Sequence, residues 1–121
     1  MANTFKVVTF AAEPASAGTA YKMYTVAGST TTVVLGLVLT NIHSSAVTAE
    51  VELVSDTGSR GGANNVTNGT AFLVKDVTIP AGSSLEVLTG GKVVLETTDY
   101  LNIDCSVADK LSGTLSIIEI T

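Results

Sequence analysis

The sequence predicts an all-β fold, a single-domain antiparallel β-sandwich of jelly-roll or immunoglobulin-like type with eight to nine strands. Three observations predict it. Apolar residues alternate with polar ones in short runs, as in Val47, Ala49, Val51 and Leu53 against Thr48, Glu50 and Glu52. Period-two alternation puts one face of a strand in the core and the other outside. Gly, Pro, Asn and Ser clusters interrupt these runs at roughly 8–12-residue spacing, as expected of a sandwich or barrel. Val, Ile, Leu, Ala and Thr supply most of the chain, and β-branched side chains suit a pleated surface.

Taken in order, the first strand is Thr4–Phe10, and AAEPASAGTA follows it as a turn or linker around Pro14 and Gly18. Residues 1–18 are thus read as an N-terminal strand or arm, and 19–121 as the sandwich. An arm carrying one strand can add to a neighbour's sheet edge, and an ordinary first strand of the same sandwich is the plain alternative. Tyr21–Val26 is the second strand. Thr31–Ile42, apolar on both faces around Gly36, is expected to be a central strand covered on both sides, with Gly36 at a bulge or close backbone approach. Ala46–Val54 shows the cleanest alternation. Further strands are expected at Ala71–Ile79, Ser84–Leu88, Lys92–Glu96, Tyr100–Val107 and Ser112–Ile120. Pro80-Ala81-Gly82 and Gly90-Gly91 punctuate Val74 to Ile103, which reads as an antiparallel meander with one buried face.

Composition narrows the function. Six basic residues against eleven acidic ones give a net charge of −5, and the basic residues are scattered. Nucleic-acid binding needs clustered Lys and Arg to displace phosphate counterions, so it is set aside. Charged residues make up only 14% of the chain, against roughly 25% in an ordinary soluble domain. A surface so poor in charge is either built of Thr, Ser, Asn and Gly or covered by neighbours, and coverage by neighbours is favoured. No apolar run approaches the ~20 residues of a membrane helix, and the N-terminus has no signal-peptide pattern. A soluble product made inside the cell, with no membrane partner, is expected. The single cysteine permits no intrachain disulfide.

No catalytic, cofactor-binding or metal site emerges. His43 is the sole histidine and sits at a strand end, where a solvated turn residue is the simplest reading. A serine triad would have to recruit it, and no Gly-x-Ser-x-Gly elbow exists to place the nucleophile. Cys105 is in phase with Leu101, Ile103 and Val107, so it reads as a buried small hydrophobe beside Asp104 rather than an activated thiolate. Glu50 and Glu52 share an outer face, while Asp99 and Asp104 lie near the ends of another strand. A glycosidase would need two carboxylates facing one cleft. Carbohydrate sites also favour aromatic platforms, and Trp is absent. The long polar loop from Asp56 to Thr70 is the best binding candidate. Asp56, Asn64, Asn65 and Asn68 offer oxygens to calcium, but the EF-hand spacing is missing, and no Gly-Lys-Ser/Thr ending makes a P-loop. Asn65-Val66-Thr67 and Asn68-Gly69-Thr70 match the glycosylation sequon, which matters only in a secreted protein. A hairpin tip or a contact loop is the simpler role.

Nearly the whole chain resembles small all-β virion proteins of tailed bacteriophages, of the marine or cyanobacterial type. The resemblance rests on the opening MANTFK, the strand YKMYTV, the segment LVLTNIHSSAVTAEVEL, the segment KDVTIPAGSSLEVLTGGKVVLETTDYL and the closing LSIIEIT. It implies a non-enzymatic structural protein of the particle, made in the host cytoplasm and located in the virion. A capsid decoration (cement) protein is the first expectation: a homo-oligomer, expected to be a trimer, whose partner is the major capsid protein. Its arm and its loop at 57–70 would make the contacts. A tail, neck or fibre-associated component is the alternative. The resemblance carries no catalytic or cofactor residues with it.

Overall fold

The computed structural model describes residues 2–55, 69–88 and 90–121. The described residues form nine strands and no helix. The strands are β1 (Asn3–Glu13), β2 (Tyr21–Thr25), β3 (Thr31–Asn41), β4 (Val47–Ser55), β5 (Gly69–Ile79), β6 (Ser84–Glu86), β7 (Val93–Leu95), β8 (Tyr100–Cys105) and β9 (Leu111–Ile120). Two antiparallel sheets contain them, with the orders β1-β9-β3-β6 and β2-β8-β4-β5; β7 also pairs with β3. The chain is therefore the β-sandwich that its alternation predicts. β6 and β7 flank one stretch of β3 and act as a single interrupted strand. The result has jelly-roll topology, because the first and last strands are neighbours and most consecutive strands lie in opposite sheets. An immunoglobulin order would instead keep early strands together as ABED.

That topology corrects the meander expected from Val74 to Ile103. β5 pairs with β4, β6 and β7 pair with β3, and β8 pairs with β2 and β4, so no two successive strands of this stretch are partners. Turns at Pro80-Ala81-Gly82 and after Leu95 carry the chain between sheets. Gly82 sits at a φ of 70°, a conformation glycine adopts without the Cβ clash of other residues.

The core is filled from both sheets by the alternating apolar positions. Leu37, Leu39, Leu115 and Ile117 come from one sheet and Leu101 and Ile103 from the other, all at 1% exposure or less. At one margin Phe10 of β1 meets Tyr21 of β2 edge to face, with ring centroids 5.4 Å apart. Phe10 also lies across Gly113, its cross-strand partner, where a side chain would leave the ring no room.

β3 departs from the covered-on-both-sides expectation. Thr32, Val34, Leu37, Leu39 and Asn41 face the core, whereas Leu35 and Val38 on the other side are each 37% exposed. Gly36 does mark a bulge, because the register with β9 shifts between Val34 and Gly36. Open space surrounds its Cβ position, which rules out a close approach. The stretch read as an arm, residues 1–18, contributes β1, which pairs along its length with β9 as the edge strand of its sheet.

Candidate interaction surface

Among the described residues, the outward face of the β1 sheet carries the most exposed large apolar side chains. Register places Phe5 opposite Ile118, Ile118 opposite Val33, and Val33 opposite Val94. Cross-strand partners lie on the same face, so these four side chains form one apolar row across four strands. Phe5 is 73% exposed and Val94 59%, and Val7, next on β1, is 63% exposed. Leu35 and Val38 extend the patch along β3. Isolated exposed apolar residues are ordinary, but a contiguous row of them marks an interaction surface. Alternation makes this face inevitable once the inward positions are buried. The sequence simply places valine, isoleucine and phenylalanine where a solvated sheet would carry polar residues.

Polar side chains cluster elsewhere. At one end of the sandwich the Tyr24 hydroxyl donates to Glu119 Oε2 at 2.6 Å and lies 2.7 Å from Thr32 Oγ1. Lys6 Nζ completes the cluster, 2.7 Å from Glu119 Oε1. These bonds tie β2 of one sheet to β1, β3 and β9 of the other. Burial and the bond to Glu119 push the Tyr24 phenol up to about 12. The Lys6 and Tyr24 hydrogen bonds hold the Glu119 carboxyl below its ordinary value.

A shallow cavity of about 200 Å³ lies between Gly18, Glu50, Asp76 and Asp104, with Cys105 and Ser106 on its wall. Here the sequence-level pairing of acids is redrawn. Glu50 and Asp104 are cross-strand partners on β4 and β8, and Asp76 joins them from β5, whereas Glu52 lies opposite Asn102. The Asp76 hydrogen bond pushes the Glu50 carboxyl above its usual range, burial adds to the effect, and Lys75 opposes it. The acids are engaged by the chain's own donors. Lys75 Nζ lies 3.2 Å from Glu50 Oε1, and the backbone N–H groups of Gly18 and Cys105 donate to Asp104 Oδ1. Asp99 is buried apart from them, its Oδ2 accepting from the Glu96 N–H in the turn before β8.

Cys105 is a free thiol only 3% exposed, on the inward face with Leu101 and Ile103. His43 sits in the turn between β3 and β4, where its backbone N–H donates to Asn41 Oδ1. Asp56, Asn64, Asn65 and Asn68 lie outside the described residues, as does most of the 57–70 loop. Sequence reasoning missed Asn41. It is fully buried, and its Nδ2 donates to Ser45 O and Ile79 O, both at 2.9 Å. An asparagine on the inward side of an apolar strand was the available signal.

No family model matches this chain, and no curated protein matches it. One solved structure, from the disulfide-linked pili that form Bacillus endospore appendages, is similar with a TM-score of 0.49 and 16% identity. The match covers 99% of this chain and 87% of that one. So slight a likeness assigns no role.

Proposed function

We propose that the protein is a non-enzymatic structural component of a phage particle, a decoration protein that binds and stabilises the head shell as an oligomer. The observation that carries this reading is the apolar row of Phe5, Ile118, Val33 and Val94 across the outward face of one sheet. It offers an exposed apolar surface to a protein neighbour, while the carboxylates of the acidic cavity are engaged by the chain's own donors. Many weak contacts of this kind add up when symmetry repeats them around a shell. The virion location and the major capsid protein as partner come from the sequence resemblance, which the apolar face suits.

Co-sedimentation with expanded capsids tests the proposal. Wild type should pellet with the shells, and Val94→Glu, which puts a charge at the exposed β7 end of the apolar row, should stay in the supernatant while keeping its fold by circular dichroism. Failure of the folded wild type to bind shells refutes the decoration role. Quantitative mass spectrometry of virions separates the alternative, since a tail, neck or fibre component is present in few copies and a decoration protein in hundreds.

A further inference from the structure

We propose that β1 is a self-association edge: two copies join through antiparallel pairing of their β1 strands about a two-fold axis at Val7. Ala2 and Thr121 exchange both backbone bonds, at 3.1 and 2.9 Å. The β1–β9 register then runs without a shift from Asn3–Ile120 to Phe10–Gly113. In an antiparallel ladder such exchanging pairs alternate with non-bonded ones. Even-numbered residues of β1 therefore bond to β9, and the N–H and C=O groups of Asn3, Phe5, Val7 and Thr9 point out of the open edge.

Open edges template the addition of strands, so proteins blunt them with short strands, bulges, charges or proline. Among the described residues the other edges carry such devices. β6 and β7 are three residues each. β2 is five residues long, contains Lys22 and has a register shift between Lys22 and Tyr24. β5 is long, but its register shifts twice, and it bears Lys75 and Asp76, the latter at a φ of 51°. β1 is left regular from Asn3 to Phe10. Its one charge there, Lys6, is ion-paired to Glu119 of its own chain at 2.7 Å. No proline falls in this span.

The occupant follows from the same comparison. A strand partner needs a regular, open edge of its own, and within this chain β1 supplies it, so contact between copies is edge to like edge. Such an isologous contact closes on itself as a dimer. Charge and the side-chain faces select the register. Centring the pair on Lys6 would oppose two ammonium groups, which is destabilising. Centring it on Val7 opposes Val7 to Val7 and Phe5 to Thr9, with the outward-pointing groups of all three facing bonding partners. The outward apolar rows of the two copies then become one surface on a continuous sheet. This inference does not rest on the phage reading.

Light scattering coupled to size-exclusion chromatography should give twice the 12.3 kDa chain mass for wild type. Val7→Pro removes a donor that faces the open edge, which an edge strand tolerates, and Val7→Lys leaves the backbone intact but opposes two charges on the axis. Both should halve the mass with the far-ultraviolet circular dichroism unchanged. Amide exchange supplies a second readout: the Phe5, Val7 and Thr9 amides should be protected in wild type and exchange freely in Val7→Lys. Val94→Glu should stay dimeric, so loss of shell binding and loss of the dimer are separable. A monomeric or trimeric wild type, or a dimer that survives both Val7 substitutions, overturns the proposal.

Discussion

Asn41→Asp should unfold this protein more readily than its nearly unchanged size suggests. Asn41 Nδ2 donates to Ile79 O on the facing sheet and to Ser45 O in the turn that leads to β4, while Oδ1 accepts from the His43 N–H at 2.8 Å. One fully buried side chain thus closes the end of the sandwich. Aspartate keeps the acceptor for His43 but loses both donors and sets a carboxylate against two carbonyl oxygens. Each net hydrogen bond contributes about 1 kcal/mol, and a buried acceptor left without its partner costs about 1–3 kcal/mol. With two acceptors orphaned, the loss should be about 3–5 kcal/mol at neutral pH. At roughly 3–4 °C per kcal/mol for a domain of this size, Tm should fall by about 9–20 °C. Urea titration is the direct assay, because the midpoint should drop while the slope holds if the native and unfolded ensembles keep their compactness. An Asn41→Asp protein within about 0.5 kcal/mol of wild type would mean that Asn41 is not the clasp described here.

Three further outcomes are expected. Gly113→Ala would place its Cβ 2.4 Å from Phe10 Cε1 and Cζ, so the ring must shift from its present packing; the cost should be about 1–3 kcal/mol by urea titration, and Phe10→Leu in the same chain should restore part of it. Because the Glu119 carboxyl is held below its ordinary value, its contribution is complete above the unfolded carboxyl pKa of about 4.3 and fades as pH falls through the lower folded value; Glu119→Gln should flatten that acid limb in denaturant titrations run as a pH series. Tyr24 has the opposite sign: its phenol, raised to about 12, contributes stability that is complete below about pH 10 and is lost as pH rises towards 12. Ultraviolet titration should show one tyrosine ionising late, and Tyr24→Phe should remove that component.

Strand positions were readable because each depends on local signals. The run Val47, Ala49, Val51 alternates with hydrophilic neighbours, and all three are buried at 2% or less. Cys105 follows the phase of Leu101 and Ile103 into the core for the same reason. Pairing was not readable, because a period of two tells which side of a strand is inward but not which sheet it joins. The β5–β8 stretch looks like a meander for that reason, although its strands find partners as distant as β2, β3 and β4. Bulges hide more. The extra residues in β5 leave Asp76 beside Glu50 and Asp104, a grouping that spacing along the chain does not reveal.

The most consequential difference lies in β3 and its neighbours. A strand apolar on both sides has two physical explanations: a second layer within the chain, or a face left for another molecule. Sequence pattern weighs both alike, because it records hydrophobicity and not coverage. The structure separates them by showing Leu35, Val38 and Val94 at 37–59% exposure, with Phe5 and Val7 more exposed still. The same observation gives the low charge content a place. The chain does not spread its missing charges evenly, since Lys75, Asp76, Glu50 and Asp104 gather on the β4–β5–β8 side while the β1 sheet turns valines and a phenylalanine outward. A protein organised this way has one solvated side and one side suited to contact. That asymmetry, rather than any pocket, is the feature on which its function is best tested.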